Sequence, residues 1–246
     1  HFNPGASGYG SQGLFQMKID FSQPSYAMEC ETARLLHSFG VNLQTREIFL
    51  SSHETNESDE EPGVDWRMAA RLNKNLRLLC TGDRSSDPVL IHMHTIGGSW
   101  EDGMAIYDSI NACADTHITI IAHAHARSMS SLILQAGDTR ILMPNAVWLM
   151  HMGSMAFDGD AQSFEAEAKE TMKDNERMID IYANSAVGSK EYRGKNKKQV
   201  RKAISEGLRM KQEWYMSPRQ AVNCGYADAV LGDKGYEKIG EIHGCG

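Results

Sequence analysis

The order of apolar patterns along the chain predicts an α/β fold built on a parallel sheet. Between residues 88 and 151, runs of strand length alternate with stretches of helical spacing: "PVLIHMH", "SWEDGMAIYDSINACA", "HITIIAHAHA", a helix to Gly137, and a strand through Trp148 to His151. Strands separated by helices are what the crossover connections of a parallel sheet require. No linker and no internal repeat divides the 246 residues, which suffice for one domain with a well-buried core.

The chain opens with "HFNPGASGYGSQG", whose glycines and serines predict a flexible arm over residues 1–24. "SYAMECETARLLHSFG" has helical spacing ending near Gly40, and "TREIFLSS" reads as a short strand. Six acids (Glu54, Glu57, Asp59, Glu60, Glu61, Asp65) mark a solvated loop leading into "DWRMAARLNKNLRLLC". That helix is expected to bury Trp66, Ala69, Leu72, Leu76 and Leu79 on one face. "GDTR" reads as a hairpin-like turn before the strand that ends at His151. "SFEAEAKETMKDNERMIDIYANSAV" is a long amphipathic helix with a stripe of Phe164, Ala168, Met172, Met178 and Ile181. A basic stretch, "KEYRGKNKKQVRK", continues as a helix, and "SPRQAVNCGYADAVLG" reads as a short helix, a turn at Gly225 and a strand. Residues 241–246 form a tail.

Composition narrows the function. A net charge of −7 argues against nucleic acid or an anionic membrane as partner, since both attract basic surfaces. No window is long and apolar enough to span a bilayer, and no charged n-region precedes an apolar run at the N-terminus, so neither a membrane segment nor a secretory signal is expected. Five scattered cysteines without a CxxC pair suit free thiols in a reducing compartment: cytoplasm, or an organelle such as the plastid stroma.

Chemistry concentrates at two corners. Ser128 follows the apolar run "ITIIAHA" and opens a helix, where unpaired N–H groups and the positive dipole end lie close. A serine nucleophile needs such donors for the oxyanion its attack creates, although an N-cap serine would occupy the same corner. One strand earlier, Gly97–Gly98 precedes a Ser99/Asp102 capping box. The N–H groups of Gly98 and Met129 could thus form a two-donor oxyanion hole. His151, ending a strand 23 residues after Ser128, is the residue type suited to proton transfer near neutrality.

These elements, in this order, resemble the ClpP family, the serine-peptidase subunits of Clp proteases. "TIGGSWEDGMAIYDSI" is similar to the family's Gly-Gly turn and following helix, and "HARSMSSLILQAGDTRILMPNAVWLMH" to its nucleophile helix, hairpin and His strand. "EWYMSPRQAVNCGYADAVL" resembles its last conserved segment, and "ARLL" and "REIFL" its first helix and strand, so the likeness runs from about residue 31 to 232. The resemblance implies a spiral of ββα units over residues 25–240, with a protruding handle (strand plus long helix) at about 152–210. It implies Ser128 as nucleophile, His151 as general base, Glu213 as the triad acid, and Gly98 and Met129 as backbone oxyanion donors. It further implies two stacked seven-membered rings of this chain, unfolded polypeptide as substrate, and a strand at His151–Gln162 that pairs with substrate backbone. No cofactor or metal is implied within the chain, ATP being used only by a Clp-type AAA+ unfoldase partner. The chain departs from the pattern at Ile96 (usually Pro), Ala124 (Gly), Arg127, His151-Met152-Gly153 and Glu213 (usually Asp). It is also longer between base and acid, near Gly188 to Lys198.

Two other functions fit parts of the pattern. A catalytically silent ring subunit would share the fold but commonly lacks a triad member. A crotonase-type acyl-CoA enzyme would share the spiral and the two-amide hole but has no role for Ser128. His92, His94, His123 and His125 lie at alternate positions on two expected neighbouring strands. Four imidazoles can bind zinc, but with no acidic partner nearby in sequence they read as neutral, hydrogen-bonded histidines, and no metal is expected. Asp228, beyond the turn at Gly225, is expected to tolerate amidation better than Glu213.

Overall fold

The computed structural model describes residues 24–52, 63–154 and 156–242. The expected arm before Pro24, five of the six loop acids (Glu54, Glu57, Asp59, Glu60 and Glu61) and the tail from residue 243 lie outside the described residues.

The chain folds as an α/β domain on two sheets. After helix α1 (Pro24–Phe39), β1 (Val41–Asn42) and β2 (Glu47–Ser51) form a short antiparallel pair. Helix α2 (Trp66–Leu79) crosses to β3 (Val89–His94), and α3 (Trp100–Asn111) to β4 (Ile118–Ala122). The chain then leaves the main sheet for β5 (His125–Arg127) and α4 (Met129–Leu134), returns as β6 (Thr139–Leu142), and leaves again for β7 (Val147–His151). Two long helices follow, α5 (Ala161–Ala186) and α6 (Lys197–Lys211), then β8 (Glu213–Met216), α7 (Pro218–Cys224) and β9 (Ala229–Val230). The main sheet runs β1-β2-β3-β4-β6-β9, parallel from β2 onward, and the smaller sheet runs β5-β7-β8. Each new strand of the main sheet joins the same edge, so successive units wind forward as a spiral.

Three expectations about the main sheet and α2 change. "HITIIAHAHA" is two strands, because the chain passes after Ala122 from the main sheet to the smaller one, where β5 pairs with β7. "GDTR" makes no hairpin: β6 lies parallel to β4, and α4 supplies the crossover such pairing needs. On α2 the buried face is Met68, Leu72, Leu76 and Leu79, while Trp66 is 66% exposed. At 100° per residue Trp66 falls about 120° from Leu72, off the apolar stripe.

The core lies between the main sheet, where Ile91, Met93, Ile120, Ala122 and Leu142 contribute, and the helices. The other face of the sheet (Leu90, Ile121, Ile141) is covered by Leu231, Tyr236, Ile239 and Ile242 near the C-terminus. Trp148 is fully buried, stacked on Tyr226 at 4.6 Å and 7°, which locks β7 against the chain after α7. Only the C-terminal end of α5 joins the core, through Met178, Ile179, Tyr182, Ala183 and Ala186. Its first half projects, leaving Phe164 and Met172 exposed and Ala168 partly covered. Neither 152–154 nor 156–160 forms the expected handle strand; a strand exists through its ladder, and among the described residues no ladder forms there. Among the described residues no helix is long and apolar enough to cross a membrane.

Asp228 has a structural task that its sequence position does not reveal. Its carboxylate accepts from Arg140 Nη2 at 2.6 Å, Arg140 Nε at 3.0 Å and the Arg140 N–H at 2.8 Å. Arg140 Nη1 donates to Gln135 Oε1 and to the Gly225 carbonyl, so one guanidinium ties α4, β6 and the turn after α7 together. Asp228→Asn is therefore expected to lower stability by about 1–2 kcal/mol, since it leaves a largely covered arginine short of charge at a half-open site. Chemical denaturation measures that loss, and turnover per folded molecule should stay near the parent's.

Candidate active site

The site forms where β5 turns into α4. Ser128 takes φ 51° and ψ −128°, a left-handed conformation disfavoured for a residue with a Cβ. Neighbouring bonds hold the corner. The Ser128 N–H donates to Leu149 O on β7 at 3.0 Å. Buried Ser130 Oγ donates to Arg127 O at 2.7 Å and accepts from the Arg127 N–H at 2.8 Å. Ser131 Oγ bonds Ser128 O and the hydroxyl of buried Tyr182, at 2.7 and 2.6 Å. Ser128 makes no capping bond to its own helix; its Oγ lies 2.8 Å from His151 Nε2. The geometry is thus that of a strained strand-to-helix elbow presenting a hydroxyl to an imidazole, and not that of an N-cap.

The second corner is the Gly97–Gly98 turn after β3, with φ of 104° and 151°. A Cβ on Gly97 would sit 2.8 Å from Ser128 Cβ and 2.9 Å from Met129 N, so only glycine lets this turn approach the elbow. On the far side Val64 brackets the turn, its N–H donating to Gly97 O at 2.7 Å and its carbonyl accepting from Ser99 N–H at 2.9 Å. Met129 packs against Gly103 of α3, where no side chain would fit. Gly98, Met129, Ser128 and His151 line one cleft of about 320 Å³.

Glu213 reaches the site through sheet register. In the antiparallel β7–β8 pair it stands directly opposite His151, with Oε1 3.3 Å from Nδ1. Gln212, at φ 58°, ends α6 and turns the chain sharply into β8. Nδ1 thus lies near a carboxylate while Nε2 is hydrogen-bonded to a hydroxyl. Glu213 remains 52% exposed and His151 27%. Arg127, on the same register row, lies over the Tyr215 ring at 6.0 Å.

All five sequence-derived site residues therefore converge, and three supports were not legible. Val64 stands alone between an acidic loop and a helix, and its bridge to Gly98 has no local signal. Tyr182 reaches Ser131 from a helix 51 residues on. Asn175 Oδ1 accepts from the Gly153 N–H at 2.7 Å and shapes the chain after His151.

His92 and His94 lie on β3, His123 and His125 just after its neighbour β4, and among the described residues no group of three or more His, Cys, Asp or Glu side chains is placed to hold a metal ion. His92 Nδ1 and His123 Nε2 lie 3.0 Å apart, and His92 stacks on Phe49 at 4.4 Å. Burial lowers the pKa of both below the ordinary histidine value, with nearby Glu47 opposing at His92. The two rings are hydrogen-bonded to each other, and His92 Nε2 lies 3.5 Å from Glu47 Oε1, an acidic neighbour that sequence order does not reveal because β2 pairs with β3. His94 meets His125 edge-on at 5.7 Å.

The Clp protease family model matches residues 33–234. Among curated relatives, the ATP-dependent Clp protease proteolytic subunit of Deinococcus radiodurans is 28% identical over 180 residues, covering 72% of this chain and 81% of that one. The chloroplastic ATP-dependent Clp protease proteolytic subunit 4 of Arabidopsis thaliana is 30% identical over 194 residues, covering 78% of this chain but 58% of its own length. A solved structure of a ClpP1 mutant from Listeria monocytogenes aligns with a TM-score of 0.60 at 20% identity, covering 77% of this chain and 92% of that one, a likeness of fold. With most of its length matched to one family, from helix α1 to the turn after β9, this chain is a divergent member of the Clp protease family.

Proposed function

We propose that the chain is an active serine-type peptidase subunit that hydrolyses unfolded polypeptides. The observation that carries this reading is the 2.8 Å contact of Ser128 Oγ with His151 Nε2 on a positive-φ elbow beside the Gly98 turn. Ser128 Oγ attacks the scissile carbonyl carbon while its proton passes to His151 Nε2. The developing oxyanion is met by the N–H groups of Gly98 and Met129. Glu213 holds the imidazole and stabilises its protonated form, which then gives its proton to the leaving amine. Water, deprotonated by the same nitrogen, releases the acyl group. Nothing in this sequence of steps needs a cofactor; ATP belongs to a Clp-type unfoldase partner. The acyl-CoA reading leaves Ser128 idle, and the silent-subunit reading leaves its strained elbow without a use.

The same reading supplies the missing surroundings of residues 152–160 and of α5. The extended chain after His151 would take a substrate strand by β-addition, beyond the Gly153 N–H that Asn175 Oδ1 holds. Phe157, just before α5, lies 5.8 Å from Phe164, and these two with Met172 are exposed on and beside the projecting half of α5, an apolar surface that a second ring of this chain would cover. Light scattering of the full chain should give a closed particle of many subunits, in the family two stacked rings of seven, and that particle should react with a fluorophosphonate and cleave an unfolded protein. A fully active monomer would overturn the chamber, and an unreactive particle would overturn the peptidase.

Glu213 invites a graded outcome. Amidating a buried triad acid lowers kcat by roughly 10⁴-fold, largely by favouring the wrong imidazole tautomer. Here the carboxylate is half exposed and 3.3 Å away, so water can substitute for part of its role. Glu213→Gln is therefore expected to lower kcat by about 10²–10³-fold with little change in KM, measured by steady-state peptide hydrolysis.

A further inference from the structure

The cleft beside Ser128 is walled on one side by α5. Glu167, Thr171, Asp174, Asn175 and Met178 recur at the three- and four-residue spacing of one helical face, and all five line the cleft. That face lies against the chain just after His151: a Cβ on Gly153 would stand 3.3 Å from Asn175 Oδ1 and 4.0 Å from Thr171 Cγ2. The opposite wall is α4, through Met129 and Leu132, which are buried, as is Met178. The inner part of the cleft is therefore apolar, and its charge has one sign. Glu101, Glu167 and Asp174 line it, and among the described residues no lysine or arginine does. Asp174 is the covered one of the three: its side chain is 19% exposed, whereas Glu101 and Glu167 are open to solvent. Arg177 Nη1 lies 3.2 Å from Asp174 Oδ1, but Arg177 is 63% exposed and outside the cleft, and such a surface pair contributes little. Lys169 and Lys173, also outside the cleft, are held by Glu165 and Glu170 at 2.6 Å.

We propose that this cleft receives the side chain on the acyl side of the scissile bond and that Asp174 selects lysine or arginine there. The proposal rests on the peptidase reading above and names the substrate class of that site. The carbon stem of the bound side chain runs between Met129, Leu132 and Met178, and its charged tip meets the Asp174 carboxylate. Glu101 and Glu167 add a field that draws cations to the cleft and repels acidic side chains. The electrostatics of Asp174 agree in direction. Burial pushes its carboxyl above the usual range, Arg177 opposes, and Glu170 and Glu101 add to the push. A bound cation relieves that push.

The full chain should be given fluorogenic peptides that differ only in the acyl-side residue: lysine, norleucine (lysine without its ammonium) or glutamate. The lysine peptide is expected to exceed the norleucine peptide in kcat/KM by about 10–100-fold, the range of a hydrogen bond to a charged group, with glutamate the poorest. Asp174→Asn keeps the shape and removes the charge, and should bring the lysine-to-norleucine ratio close to unity. An Asp174 with only a structural role would slow both peptides and leave the ratio where it was. A norleucine peptide cleaved as well as the lysine peptide, or a ratio unmoved by Asp174→Asn, would overturn the assignment, and the wild-type series decides it even if the variant fails to fold. Failure of the peptidase reading looks different: no peptide is cleaved and no fluorophosphonate adduct forms. Fluorescence polarisation then tests the pocket alone, using labelled product peptides that end in lysine or norleucine and the Ser128→Ala protein. The lysine peptide should bind at least ~10-fold more tightly, and equal binding would overturn the proposal.

Discussion

Ser128→Ala is expected to abolish fluorophosphonate labelling and to lower peptide hydrolysis by about 10⁶-fold, the scale seen when a triad nucleophile is removed. The reason lies in geometry: the hydroxyl 2.8 Å from His151 Nε2 is the one group on the elbow aimed at a base. Ser130 and Ser131 are buried and their hydroxyls are committed to Arg127 O and to Ser128 O and Tyr182, so neither can substitute. The variant should fold at least as well as the parent, since alanine loses only a hydroxyl at an exposed cleft. Intact-protein mass spectrometry after labelling gives the readout. An adduct that persists in Ser128→Ala would mean that another residue is the nucleophile.

Gly98→Ala should have the next largest effect. A Cβ there would lie 2.5 Å from Val64 O and 2.6 Å from Val64 N, and both contacts are to backbone that cannot rotate away. The turn must shift, taking the Gly98 N–H off the oxyanion position proposed for it. Loss of one such donor lowers kcat by about 10²–10³-fold. Displacing Val64 also weakens the bracket at the start of α2, so stability should fall with activity. Gly82→Ala is the matched control: Gly82 has φ 81° but nothing within 4 Å of the added atom. It should lose about 1 kcal/mol through backbone strain and keep its kcat. Equal activity in the two variants, measured by steady-state hydrolysis, would remove Gly98 from the oxyanion hole.

The sequence by itself determined the features that have a local cause. Alternating strand and helix periods announced the parallel sheet, and the elbow serine, the Gly-Gly turn and the strand-ending histidine each announced themselves by residue type at a corner. Only the tertiary structure decided what depends on pairing between distant segments. Whether Ser128 capped its helix or faced a base turned on β7 lying beside β5, which brings His151 to Oγ. The place of Glu213 turned on antiparallel register, because a slip of one residue would send its side chain to the opposite face. "HITIIAHAHA" divided between two sheets, and "GDTR" became a parallel strand, because which edges were free is a property of the assembled sheet and not of the ten residues that join it. Asp228, an acid beyond a turn in the sequence, proved to be the partner of Arg140 88 residues away. Hydrophobic period is written along the chain, whereas a hydrogen bond across it exists only once the core has brought both ends together.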